Sequence, residues 1–121
     1  MRAELVLPFP PSMNTYWRTW NGRTLLSKAG RQYKTAVYGY CLENRVPKFG
    51  EQRVKFSMVL RPKDKRQRDI DNYAKAVLDA LQYAGIIEDD WQVDHLEMIR
   101  GEPVTDGCVM VTIETIPTSS P

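Results

Sequence analysis

The side chains best placed to do chemistry crowd into RPKDKRQRDIDNYAKAVLDALQYAGIIEDDW, residues 61–91. Arg61, Lys63, Lys65, Arg66 and Arg68 run directly into Asp69 and Asp71, and Asp90 follows nineteen positions after Asp71. Hard cations such as Mg²⁺ take oxygen ligands and are commonly held by a few carboxylates together with water and substrate phosphate. Three aspartates beside a phosphate-seeking basic loop therefore suit metal-assisted phosphodiester hydrolysis, in which the ion lowers the pKa of water and offsets charge during in-line displacement. Lys75, one helical turn beyond Asp71, could stabilise the transition state, orient the water or protonate the leaving oxygen.

Each feature also has a plainer reading. An aspartate near a helix start commonly caps it, and Asp71 with Lys75 makes an ordinary i,i+4 surface pair. Glu88-Asp89-Asp90 alone reads as a solvated turn. The nuclease reading rests on all three features falling in one short segment with the basic loop, while spacing alone leaves their convergence in space open. Two rivals stay beside it: a magnesium nuclease for branched or single-stranded DNA in general, and a binding module whose aspartates only cap helices.

Tyr16, Trp17, Trp20 and Trp91 could stack on unpaired bases or wedge into a junction, although tryptophans also serve as packing. Arg18 and Arg23 flank the Asn21-Gly22 turn and add cations there. His95 is the only histidine, and no Ser or Cys motif accompanies it to suggest a triad. Cys41 and Cys108 lack paired metal spacing and read as free thiols.

The elements that must position these residues follow from periodicity. Ala3–Leu7 is a short strand stopped by Pro8, Pro10 and Pro11. Asn21-Gly22 predicts a small hairpin over about Tyr16–Leu26, because a type I′ turn needs positive φ at both central positions. Ser27 caps a helix running to about Asn44, with Ala29, Tyr33, Ala36, Val37, Tyr40 and Cys41 as its apolar stripe. Val54, Phe56, Met58 and Leu60 alternate as a half-buried strand closed by Pro62. Tyr73, Ala76, Val77, Ala80, Leu81 and Ala84 form the stripe of a second helix ended by Gly85. Strands near Val93–Arg100 and Cys108–Thr115 complete the order. The expected class is α+β: a single domain with a mixed β-sheet, two main helices and an N-terminal hairpin, spanning 1–116, with 117–121 as a flexible tail.

The 121 residues, 42% apolar and 26% charged, suit one compact domain. No window approaches a membrane span and no signal peptide is evident, so a cytoplasmic protein without membrane association is expected. The net charge of +2 hides an asymmetry: residues 1–48 carry eight Lys/Arg against two Asp/Glu, whereas 88–121 carry one against eight. One face could meet a polyanion while an acidic pole holds cations.

Residues 66–81 (RQRDIDNYAKAVLDAL), 84–94 (AGIIEDDWQVD), PPSMN at 10–14, Arg18 and NGRTLLS at 21–27 together resemble the RusA family of Holliday junction resolvases, small enzymes of bacteria, prophages and phages. Order, spacing and length all agree, and the resemblance covers nearly the whole chain. It implies a crossover junction endodeoxyribonuclease that uses Mg²⁺, with Mn²⁺ able to substitute. The family's catalytic and metal-holding aspartates fall on Asp69, Asp71 and Asp90 and its essential lysine on Lys75; Asp89 ranks lower. Asn72 takes a supporting position and, with Lys63, Lys65, Arg66, Arg68, Arg18 and Arg23, is expected to contact DNA. The resemblance also implies a homodimer that binds four-way DNA junctions by structure and makes paired symmetric nicks, commonly beside a cytosine dinucleotide.

Overall fold

The computed structural model describes residues 1–117, so the tail expected from 117 onward lies, from 118, outside the described residues. Strand β1 (Arg2–Pro8) turns Ala3, Leu5 and Leu7 inward, and prolines 10 and 11 then deny it further ladder bonds. A one-turn helix α1 (Met13–Tyr16) follows, where only a polar and aromatic segment was expected. It is too short to show a 3.6-residue period and forms because the Ser12 carbonyl accepts from the amides of Thr15 and Tyr16. Strands β2 (Trp17–Trp20) and β3 (Arg23–Leu26) make the expected hairpin, with φ of 50° at Asn21 and 73° at Gly22.

Helix α2 (Lys28–Glu43) starts where Ser27 Oγ accepts from the Gly30 amide at 3.0 Å. Its buried face differs from the expected stripe. Tyr33, Val37 and Cys41 are buried as predicted, but Ala29 and Ala36 are exposed and Gly30 takes the inner position. The cause is close approach to α1: a Cβ at Gly30 would stand 2.6 Å from the Tyr16 carbonyl oxygen. Only glycine lets the helix seat there.

Strand β4 (Val54–Arg61) buries every second residue and leads through the basic loop to a 3₁₀ turn at Ile70–Tyr73. That turn runs into helix α3 (Ala74–Tyr83), which buries Ala76, Val77, Ala80 and Leu81 as expected and Leu78 besides. A second 3₁₀ turn, Asp90–Gln92, precedes β5 (Val93–Arg100), and β6 (Cys108–Thr115) ends the fold.

Four strands form one sheet in the order β1-β6-β4-β5, with β4 and β5 parallel and the other neighbours antiparallel. The α+β class, mixed sheet, two main helices and hairpin agree with the sequence reading. Helices α2 and α3 pack together, and the core joins their apolar sides to Leu5, Leu7, Phe56, Met58, Leu60, Val109, Val111 and Ile113 of the sheet. On the opposite sheet face the register aligns Val6, Met110, Val59 and Ile99 in one row across all four strands. The aspartates of interest all lie on the crossover between the parallel pair, since Asp69 and Asp71 follow β4 and Asp90 precedes β5.

Candidate active site

The first acidic arm begins in the basic loop. Asp64 gathers that loop, accepting from the Arg66 amide at 3.1 Å and pairing with the Arg68 guanidinium at 2.8 Å. These contacts hold the Asp64 carboxyl below the ordinary aspartate range, the Arg66 amide contributing most. Arg68 also donates to the carbonyls of Asp64 and Arg66, both at 3.2 Å, and stands over the Phe9 ring. It is therefore mostly buried and braces the loop, whereas Lys63, Lys65 and Arg66 are exposed.

Asp69 occupies the N-cap position of the Ile70–Tyr73 turn in extended conformation, yet its side chain makes no cap bond. Asp71 sits in the first turn, and both carboxylates are exposed. Among the described residues neither has a hydrogen-bonding or ion-pairing partner. The capping role, the plainer reading of an aspartate here, does not account for Asp69. A cavity of about 590 Å³ opens beside it, lined by Lys65, Arg66, Gln67, Arg68, Asp69 and Arg100. Of its four cations, Arg68 and Arg100 donate to loop carbonyls, which leaves the exposed Lys65 and Arg66 to attract a phosphate beside Asp69.

The second arm is the turn 88–92, and a buried amide fixes it. Gln92 is fully buried. Its Oε1 accepts from the Glu88 and Asp89 amides at 2.8 and 3.1 Å, and its Nε2 donates to the carbonyls of Gly50 and Gln52 at 2.8 and 2.6 Å. Asp89 takes the N-cap position of the turn, which leaves Asp90 projecting from its first residue. Lys75 Nζ donates to Asp90 Oδ2 at 2.6 Å, and this bond is the main cause of an Asp90 pKa below the usual range. The structure so separates the two neighbouring aspartates, one framing the turn and the other facing α3. Trp91 is exposed, its ring beneath the Arg53 guanidinium, which also pairs with Asp94.

Asp69, Asp71, Lys75 and Asp90 thus all belong to the crossover between β4 and β5. Among the described residues no three His, Cys, Asp or Glu side chains are grouped as a preformed metal site. The Arg68 carbonyl next to Asp69 is tied to Arg100 at the far end of β5, whereas Asp90 precedes its near end. The donors themselves suit a hard divalent cation: three carboxylates, two of them without a partner among the described residues, beside cations that attract phosphate.

Asn72 is half-buried within the 3₁₀ turn, its amide donating to the Asp69 carbonyl at 3.1 Å. Arg18 and Arg23 are exposed on the hairpin, away from the aspartates in sequence and element. Tyr16 is fully buried and its hydroxyl donates to Asp79, while Trp17 packs edge-on against it; these two serve packing, whereas Trp20 and Trp91 stay exposed. His95 is exposed and hydrogen-bonded to Glu97, whose carboxylate also accepts from the Ser57 hydroxyl. Cys41 is buried with its thiol pushed up to about 11, so it stays protonated, and Cys108 is likewise unpaired. No helix among the described residues is long and apolar enough to cross a membrane.

Two participants escaped the sequence reading. Arg100 carried a signal, being the lone Lys or Arg in the acidic segment 88–121. Gln92 carried none, because a glutamine is ordinarily exposed and nothing in its neighbours marks it as buried.

Residues 8–116 match the family model described as endodeoxyribonuclease RusA. The chain is 36% identical over 110 residues to the crossover junction endodeoxyribonuclease rusA of Enterobacteria phage HK97, which covers 91% of this chain and 92% of that protein. It is 38% identical over 105 residues to crossover junction endodeoxyribonuclease RusA of Escherichia coli strain K12, 86% of each chain. To the protein of the same description from Enterobacteria phage 82 it is 37% identical over 104 residues, again 86% of each. With the match running from the end of β1 past the end of β6, the chain belongs to the RusA family of endodeoxyribonucleases.

Proposed function

We propose that this protein is a Mg²⁺-dependent endodeoxyribonuclease that resolves four-way DNA junctions, with Asp69, Asp71 and Asp90 holding the ion and Lys75 assisting. The observation that carries the reading is the cavity lined by Lys65, Arg66 and Asp69, whose carboxylate makes no cap bond and has no partner among the described residues. The carboxylate is left open beside cations that would draw in a phosphodiester. Mn²⁺ has the same preference for oxygen donors and should replace Mg²⁺.

When bound, the ion supplies Lewis acidity and offsets charge on the phosphodiester. The chain supplies the rest. Lys65 and Arg66 bind the backbone electrostatically, Arg68 stiffens the loop that carries Asp69, and Asn72 fixes the following turn. In hydrolysis a water oxygen bonds to phosphorus while one bridging sugar oxygen leaves and takes up a proton. The Lys75 ammonium, already placed by Asp90, can stabilise the added charge or give that proton.

A homodimer follows from the substrate. A junction has two-fold symmetry, and a two-fold pair of subunits presents one site to each of two opposed strands. The Val6, Met110, Val59, Ile99 row gives such a pair an apolar face to bury, which supports the reading. Relatives in phages and in Escherichia coli fit a bacterial, cytoplasmic setting.

The test is to incubate the purified protein with a synthetic four-way junction, a flap, a duplex and a single strand, in Mg²⁺ and in EDTA. Paired nicks in the junction alone, lost in EDTA, are expected. Equal cutting of all four substrates would instead favour a general nuclease, and binding without nicks in any metal would leave only a DNA-binding module.

A further inference from the structure

We propose that Arg100, at the end of β5, is a positioning residue for Asp69: it anchors the basic loop to the sheet at the peptide just before that aspartate. The inference rests on the proposed role of Asp69 and adds what holds it in place.

Arg100 Nη2 donates to the Arg68 carbonyl oxygen at 2.8 Å. Arg68 cannot provide this anchorage itself, because its guanidinium is turned back into the loop on Asp64 and the carbonyls of residues 64 and 66. Downstream, the Asp69 carbonyl accepts from the Asn72 amide, a bond internal to the same turn. At the opposite end of the loop, the Pro62 carbonyl accepts from the Val104 amide at 2.9 Å. Between Pro62 and the 3₁₀ turn, the Arg100 bond is thus the hydrogen bond among the described residues that ties the loop to the sheet.

Its place in the fold explains the choice of residue. Arg100 pairs with Leu60 in the parallel register, so its Cα is fixed by β4, and Leu60 is buried in the core. The Leu60 carbonyl in turn accepts from the Gly101 amide at 2.8 Å, holding the strand end straight. A Cβ at Gly101 would lie 2.8 Å from Val59 Cγ1, so the backbone passes close against β4 there. From this rigid end a long side chain with a planar donor fork reaches the loop and can still face the cavity beside Asp69.

Supporting partners of reacting groups typically cost 10–100-fold when removed. In Arg100→Met, which keeps the apolar stem and loses the donors, junction cleavage at saturating DNA should fall by about 10–100-fold. Junction affinity in EDTA should change by less than about 3-fold, and the slope of log affinity against log salt should stay the same, because no phosphate contact has been lost. Amide hydrogen exchange, measured in EDTA, should speed up over residues 66–72 and nowhere in α2. Arg100→Lys, which restores one donor on a shorter reach, should recover part of both the exchange protection and the turnover. A salt slope reduced by about one with turnover intact would overturn the proposal in favour of a phosphate contact. Unchanged exchange over 66–72, or equal loss in the Lys and Met variants, would overturn it too. A wild-type protein that cuts no junction would instead sink the proposed function, and the exchange pattern tells the two failures apart.

Discussion

The two acidic arms of the site are built by opposite means. Asp90 stands on a turn whose amide clamp, Gln92, spends all its hydrogen bonds on backbone, and its own carboxylate is already held by Lys75. Asp69 and Asp71 stand on a turn tied to the sheet through one arginine, with carboxylates that have no partner among the described residues. The clamped arm is preorganised and neutralised from within. The open arm keeps its charge for an incoming cation at the expense of order. Opposed demands of this kind, rigid placement and unspent charge, are hard to meet with one element, and the crossover divides them between two.

The comparison is broken most sharply at the open arm. Asp71→Asn should lower junction cleavage by at least about 10²-fold, the scale seen when a group that stabilises developing charge is lost. Junction binding should persist or tighten, since a negative charge next to phosphate has gone. Gel-shift and cleavage assays on one preparation check both halves, and the melting temperature should barely move, because the Asp71 side chain bonds to nothing among the described residues.

At the clamped arm the effect should fall on stability instead. Gln92→Leu leaves two amides and two carbonyls without their buried partner, at about 1–3 kcal/mol for each that water cannot reach. A loss of about 3 kcal/mol in urea unfolding is expected, with the urea dependence itself unchanged. If Gln92→Leu left stability intact and only slowed cleavage, the arm would be less rigid than its hydrogen bonds indicate.

The smallest effect concerns the exposed brace of that arm. Arg53 beside Asp94 lowers the Asp94 pKa in the folded protein, so the pair adds stability above the ordinary aspartate pKa and loses it as pH falls through the lowered folded value. Asp94→Asn should therefore melt slightly below wild type at neutral pH, and the two curves should merge in acid. Raising salt should narrow the neutral-pH gap, as for any surface pair.

Much of this was legible in the residues. Alternation in 54–60 gave β4, Asn21-Gly22 gave the hairpin, and Ser27 gave the start of α2, because each is a local rule obeyed locally. The shifted face of α2 was not legible, since it depends on Gly30 meeting the Tyr16 carbonyl from a distant turn. The aspartates could be named from order and spacing, yet whether Asp69 caps a helix is a matter of side-chain direction. Convergence is harder still: spacing leaves it open, because it depends on how the crossover between β4 and β5 folds back rather than on any local pattern. Gln92 and Arg100 act through backbone atoms of remote segments, which leaves no periodic trace in the sequence.

The parallel pairing of β4 with β5 also bears on when the site can come into being. No strand of the four-stranded sheet is joined to its neighbour by a short turn: β5 reaches β4 only after the segment 62–92 has wound back through α3, and β6 closes longer loops onto β4 and β1. As an edge strand, β5 has β4 as its one neighbour in the sheet, so the site waits on that single non-local pairing. Both arms hang on that docking, through Arg100 at one end and Gln92 at the other. A newly made chain would thus be unable to cut DNA until β5 has paired with β4.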